Sequence, residues 1–148
     1  MDATDLKIIK ILQEDGRISM KELGARVNLT SPAVSERVKR LEENGIIVGY
    51  TALVDPKSLN MHVEAIVHVG MKVSAHAKFK KLALDESAII ECHHVTGEDC
   101  MTVKVVCQDT YELEHILDKI QTIGSTKTAI ILSSPLKRKP ILPLEENL

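Results

Sequence analysis

Aromatic side chains are almost missing from this chain: its 148 residues include no Trp, one Phe and two Tyr. Any core must therefore be aliphatic, and an apolar share of 44% is enough to build one. Cysteine is also scarce. Three cysteines, an odd number, do not suggest a disulfide framework and fit a reducing compartment. No apolar run approaches the ~18 residues of a membrane span, and no N-terminal apolar segment of signal length is present, so the expected location is cytoplasmic, with no membrane partner. Net charge is −2 and the pI is near 6.3, so no bulk positive charge draws the chain to nucleic acid. Residues 1–60 hold nine basic and nine acidic side chains, so any attraction to DNA must come from local arrangement, and a dimer would double it. The glycine-rich, P-loop, HExxH and GxSxG signatures are all absent, so no enzyme class, cofactor or resident metal is expected.

What is present is concentrated first in Ser19 to Leu41, SMKELGARVNLTSPAVSERVKRL. It reads as two short helices joined by a tight turn. Val34, Val38 and Leu41 recur at i, i+4, i+7, one face of a 3.6-residue period. Thr30 or Ser31 can cap the second helix, and Pro32 is tolerated in its first turn. Asn28 sits at the turn, where positive φ is often required and Asn accepts it. This arrangement lays its second helix in the DNA major groove. A preceding helix spans about Ala3 to Asp15, with Leu6, Ile9 and Leu12 as its stripe, widened by Ile8 and Ile11, and Asn44-Gly45 signals the end of the third.

With Val34, Val38 and Leu41 turned inward, Ser31, Ser35 and Lys39 fall on the opposite side, beside Pro32 and Glu36. Hydroxyls, including that of Thr30, and a carboxylate can reach base edges; Glu can accept from cytosine N4. Arg37, Lys39 and Arg40 suit phosphate oxygens, which set register rather than sequence. Arg17, after the helix-ending Gly16, either contacts phosphate or pairs with an acidic neighbour. An ordinary amphipathic helix with a solvated charged face is the alternative for the whole segment.

Residues 46–60 read as a strand (Ile46 to Val54) and a linker turn at Asp55-Pro56-Lys57-Ser58. Beyond them the period changes. Val63, Ala65, Val67, Val69, Met71 and Val73 alternate, a strand signature. A helix follows over about 75–85, strands over 88–96 and 100–107, a helix over 110–123 and a strand over 126–134. The order βαββαβ is the ferredoxin-like plan, so the fold class is α+β: a three-helix, winged helix-turn-helix over 1–45, then a ferredoxin-like domain over 61–134. Two helices cover one face of such a sheet. Ile66, Val106 and Ala129-Ile130-Ile131-Leu132 leave apolar surface on the other, which marks an interaction site and points to sheet-to-sheet dimerisation. Residues 135–148 contain Lys137-Arg138-Lys139 and no clear period. They read as an extended arm, either loose or laid on a neighbouring subunit, and the basic run is either solvated or a DNA contact.

Thr96-Gly97-Glu98-Asp99 reads as a hairpin turn. It is either that alone or, with two carboxylates beside an oligomer-forming sheet, a loop that attracts an ammonium group. Cys92, His93, His94 and Cys100 cluster near it. Strand alternation splits Cys92 and His94 from His93, and no metal-ligand spacing is present, so no metal site is expected.

The chain resembles the Lrp/AsnC family of leucine-responsive, feast/famine regulators along nearly its whole length. The resemblance rests on Asp5, Ile9, Ile11-Leu12, Asp15-Gly16-Arg17, Glu22-Leu23, Leu29-Thr30 and Val34. It continues through Arg37-Val38-Lys39-Arg40-Leu41-Glu42, Gly45-Ile46-Ile47, Gly49-Tyr50, Val54-Asp55-Pro56 and Val95-Thr96-Gly97-Glu98-Asp99-Cys100. It implies a winged-type DNA-binding domain and a ligand-sensing domain. It also implies dimers that assemble further, often to octamers, and an amino acid or related metabolite bound between dimers. Thr96 to Cys100 resembles the family's effector loop, where many members carry Asp in place of Cys100 to meet the ligand's amino group. Here Glu98 or Asp99 takes that part, or the ligand differs, or there is none. The expected function is a sequence-specific DNA-binding transcriptional regulator, on double-stranded DNA, controlled by such an effector. The alternatives are a non-enzymatic metabolite-binding module and an architectural DNA-compacting protein with little sequence preference.

Overall fold

Asp2 opens helix α1 (Ala3–Glu14) with a reciprocal cap: its carboxylate accepts from the Asp5 amide at 2.8 Å, and its own amide donates to the Asp5 carboxylate at 3.0 Å. Ser19 caps α2 (Met20–Val27) and Thr30 caps α3 (Ser31–Glu43), each accepting from the amide three residues on. These helices belong to a computed structural model that describes residues 1–143; the last part of the expected C-terminal arm, 144–148, lies outside them. The described chain forms two compact units, residues 1–53 with 136–143, and residues 54–135.

The first unit is a three-helix core of Ile8, Leu12, Ile18, Leu23, Val27, Val34, Val38 and Leu41. The inward stripe of α1 is Asp5, Ile8 and Leu12; Leu6 and Ile9, expected there, are only half-buried. Asn28 holds φ 57° and ψ 43°, the left-handed turn its residue type anticipates. The turn is tight enough that Leu29's amide donates to the Gly24 carbonyl at 2.8 Å. A Cβ on Gly24 would stand 2.6 Å from the Leu29 carbonyl oxygen, so this position has no room for a side chain. Asn44-Gly45 ends α3 as expected, with Gly45 at φ 68°.

The strand expected over 46–54 does not form. The amides of Ile46 and Ile47 fold back to the Leu41 carbonyl, at 2.9 and 3.1 Å, and no strand lies alongside. A strand needs a partner for its amides, and hydrophobic composition alone does not supply one. Val48, Leu53 and Val54 accordingly stay exposed. In the arm, Ile141 exchanges two backbone hydrogen bonds with the side-chain amide of Gln13 on α1, at 2.8 and 2.9 Å, so this stretch lies on its own chain's helical unit.

The second unit has β1 (Val63–Gly70), α4 (His76–Asp85), β2 (Ile89–His94), β3 (Met101–Cys107), α5 (Thr110–Gln121) and β4 (Ser125–Ile130). The antiparallel sheet runs β2-β3-β1-β4, the ferredoxin-like order. Ala65, Val67, Val69, Met101, Val103, Val105 and Cys107 face α4 and α5, which supply Phe79, Leu113, Ile116 and Ile120. Two strands end earlier than expected. Val73 sits in a short 3-10 turn and is exposed, and β4 stops at Ile130, leaving Leu132 exposed. The opposite sheet face is more polar than expected: Glu64, His68, Thr102, Lys104 and Lys127 surround Ile66, Val106 and Ala129. Lys104 and Glu64 pair there at 3.1 Å.

In an open helix interior, Gly→Ala stabilises by about 0.5–1 kcal/mol. Gly24→Ala should do the reverse, costing about 1–3 kcal/mol because the turn must move away from the new methyl group. Urea unfolding read through amide exchange of α2 and α3 measures the sign; a more stable variant would mean the turn is not tight.

Candidate nucleic-acid interface and hairpin site

The three inward residues of α3, Val34, Val38 and Leu41, fix what the rest of the helix presents. Pro32, Glu36, Lys39 and Arg40 are exposed, and Ser31 and Ser35 are half-buried beside them. Ser35's hydroxyl donates to the Ser31 carbonyl at 2.8 Å, so it meets an outside group as an acceptor. Thr30's hydroxyl oxygen accepts from the Ala33 amide at 3.4 Å. Lys39 lies 3.7 Å from Glu43, both exposed, a contact that gives way easily. Arg17 is exposed; its amide donates to Asp15, and its guanidinium makes no ion pair among the described residues.

Arg37 has other partners than the phosphate expected for it. Its Nη1 lies 2.7 Å from both Asp2 Oδ2 and Asp5 Oδ1, and the Asp5 side chain is only 7% exposed. Burial works against the charged form of Asp5, but the Asp2 amide and Arg37 outweigh it and hold the carboxyl below its ordinary range. Arg37's hydrogen bond does the same to Asp2, and the two acids push the guanidinium further up. Arg37 thus ties α3 to α1. A nearby signal existed: Asp5 is in register with the buried Ile8 and Leu12, so its carboxylate had to find a cation inside.

In the second unit, Val95's amide donates to the Cys100 carbonyl at 2.8 Å and closes the hairpin, with Gly97 at φ 116°. Thr96, Gly97 and Glu98 are exposed; Asp99 and Cys100 are half-buried. The two carboxylates differ. Asp99 accepts from Lys127 at 2.7 Å and is the main cause that raises that lysine's pKa, with a smaller push from the charge of Glu98; Glu98 makes no ion pair among the described residues. Cys100 Sγ lies 3.3 Å from His76 Nε2 and 3.8 Å from the Met71 carbonyl oxygen. The His76 ring stands edge-on to His94, centroids 5.2 Å apart. As alternation required, Cys92 and His94 share one sheet face and His93 the other, where it meets Glu91 at 3.3 Å. Among the described residues, no three His, Cys, Asp or Glu side chains are arranged to hold a metal ion. His76 and Lys127 were missed from sequence because both reach the hairpin from other elements.

Residues 1–48 match the family model described as winged helix-turn-helix DNA-binding, and residues 64–141 match the Lrp/AsnC ligand binding domain. The uncharacterized HTH-type transcriptional regulator YezC of Bacillus subtilis is 38% identical over 134 residues, 90% of this chain and 95% of that protein. The solved structure of B. subtilis LrpC superposes with a TM-score of 0.88 at 34% identity, covering 93% of this chain and 99% of that one. The transcriptional regulator NMB0573 of Neisseria meningitidis, solved as its L-Met complex, gives 0.89 at 30% identity, covering 98% and 97%. No helix among the described residues is long and apolar enough to cross a membrane.

The Asp5–Arg37 bridge carries a pH signature. Asp5's folded pKa is depressed, so its stabilisation is complete above the ordinary carboxylate value of 3.8 and is lost as pH falls through the folded value. Arg37→Ala, which leaves the buried acid without its cation, should lower the urea midpoint at neutral pH. Asp5→Asn should flatten the acid-side loss below pH ~4. Urea midpoints of the three proteins across pH 2–7 test both; equal slopes for wild type and Asp5→Asn would remove Asp5 from the account.

Proposed function

This chain belongs to the Lrp/AsnC family of transcriptional regulators, and we propose that it acts as a homo-oligomeric, sequence-specific DNA-binding regulator set by an amino acid or related amine. The observation that carries the DNA part is the exposed face of α3, aimed by the left-handed turn at Asn28. Thr30, Ser31, Pro32, Ser35 and Glu36 stand at the end and on the side that read base edges. Lys39, Arg40 and Arg17 take phosphates; Arg37 contributes chiefly by holding α3 on α1.

The effector in this reading binds at Thr96 to Cys100, and the L-Met complex of the Neisseria relative supports an amino-acid ligand. Of the two hairpin carboxylates, Glu98 is the better placed to take an ammonium group, since Asp99 pairs with Lys127 and Glu98 acts on that lysine only from a distance. A second copy of the sheet covers Ile66, Val106 and Ala129, giving a dimer, and dimers assemble toward an octamer with the ligand between subunits. A ligand with different affinities for two assemblies shifts their balance and so the spacing of paired recognition helices. The protein works in the cytoplasm and has no catalytic activity of its own.

Binding to DNA from upstream of its own gene, titrated against salt, tests this reading. Lys39→Ala and Arg40→Ala should weaken binding to every sequence and each lower the salt slope by about one. Ser35→Ala or Glu36→Gln should instead change the preferred base by roughly 1–3 kcal/mol. Equal affinity for that DNA and for random DNA would favour an architectural protein; an unchanged slope for Lys39→Ala would mean the wrong face was chosen.

A further inference from the structure

The three cysteines occupy very different surroundings. Cys107 is 1% exposed, and its thiol is pushed up by burial and then by Glu112 and Asp109. Cys92 is exposed on the edge strand β2, and the neighbouring protein still desolvates its sulfur in part, which pushes the thiol up as well. Cys100 is half-buried, and it alone has an imidazole nitrogen within reach, His76 Nε2 at 3.3 Å. His76 is the first residue of α4 and is steadied by the edge of His94. Both histidines, and Cys92, line a groove of about 540 Å³ between α4 and β2; it brings solvent to the imidazole side of the pair, while Cys100 itself stands behind His76, outside the lining. The thiolate is the reactive form of cysteine, and a neighbouring base that accepts the proton is what separates reactive from inert thiols.

We propose that Cys100 is a modification site: a reactive thiol that a hydroperoxide oxidises to the sulfenic acid, with His76 as the proton carrier. The thiol proton passes to His76 Nε2. The Cys100 sulfur attacks one oxygen of the peroxide, a sulfur–oxygen bond forms, and the oxygen–oxygen bond breaks. The leaving oxygen takes the proton from His76 and departs as water, or as an alcohol from an organic hydroperoxide. Sulfur is oxidised by two electrons and the peroxide is reduced by two. The product gains a hydroxyl at the end of the hairpin, where His76 and the Met71 carbonyl are at hand to hold it.

The product does not close onto another cysteine. Cys92 pairs with Val103, three residues along from Cys100, which places the two roughly 10 Å apart at about 3.4 Å per residue. That exceeds disulfide reach, so an external thiol must reduce the sulfenic acid.

The test is hydrogen peroxide with dimedone as trap on the full-length protein, followed by peptide mass spectrometry of all three cysteines. Cys100 should be labelled at least about tenfold faster than Cys92, although Cys92 is the more exposed, and Cys107 should stay unlabelled. His76→Gln should bring the Cys100 rate down to that of Cys92. The wild-type comparison needs no variant: labelling of Cys92 at an equal or greater rate, or no labelling of Cys100, overturns the proposal. So does an unchanged Cys100 rate in a folded His76→Gln protein.

Discussion

A carboxylate taken out of water among aliphatic side chains needs a cation, and Asp5 finds one in Arg37, 32 residues further along the chain. That pairing decides more than its own energy. Leu23, Val27, Val34 and Val38 are similar in size and shape, and aliphatic packing alone tolerates small rotations of one helix on another. The bridge narrows that choice: rotations of α3 against α1 that carry the Arg37 guanidinium away from Asp5 and Asp2, each at 2.7 Å, lose both contacts. Fixing that rotation fixes the opposite side of α3, where Pro32, Glu36 and Lys39 stand. Asp2 serves twice, capping α1 and completing the bridge, so the start of α1 and the orientation of α3 are set by one constellation.

The second unit is governed by a geometric limit instead. Two helices cover one face of four strands, and the aliphatic inner face of β1 and β3 is spent on them. The other face is a lattice of charges and small apolar groups, with Lys104 bridging to Glu64 across neighbouring strands. Such a face tolerates water better than a purely apolar one, and still offers Ile66, Val106 and Ala129 to a complementary copy. The hairpin at Gly97 stands at the end of this same sheet. Its Asp99 is held by Lys127 of β4, so the position of the loop and the edge of the sheet are linked.

Much of this was legible in the chain. Helix limits were, because caps are local: Thr30, Asn28 and Asn44-Gly45 act on amides and dihedrals within a few residues. The βαββαβ order was, because the hydrophobic period switches from 3.6 to 2 and back. What sequence could not give depends on partners far along the chain. Ile46 to Val54 has strand composition but no neighbouring strand, and composition cannot supply one. Arg37 looks like any basic residue on a helix until Asp5 is placed against it. Cys100 was legible as a departure from a family pattern; its pairing with His76 was not, because that contact needs the turn that carries the chain from β1 into α4. The β-bulge near Ile89 is similarly set by the fold of the edge strand and not by its residue types.

The use of Arg37 as an internal bridge bears on assembly. With Arg37 engaged, the proposed phosphate contacts per chain are Arg17, Lys39 and Arg40. Each phosphate contact contributes about −0.9 to the salt slope, so three give roughly −2.7, a weak and strongly screened attraction at physiological salt. A net charge of −2 adds no long-range pull. Two chains joined through their sheets would bring six contacts and roughly −5.4, twice the electrostatic term of a single chain. The sheet face that α4 and α5 leave uncovered and the engagement of Arg37 with Asp2 and Asp5 therefore point the same way: the proposed phosphate contacts are few in one chain, and pairing of two chains doubles them.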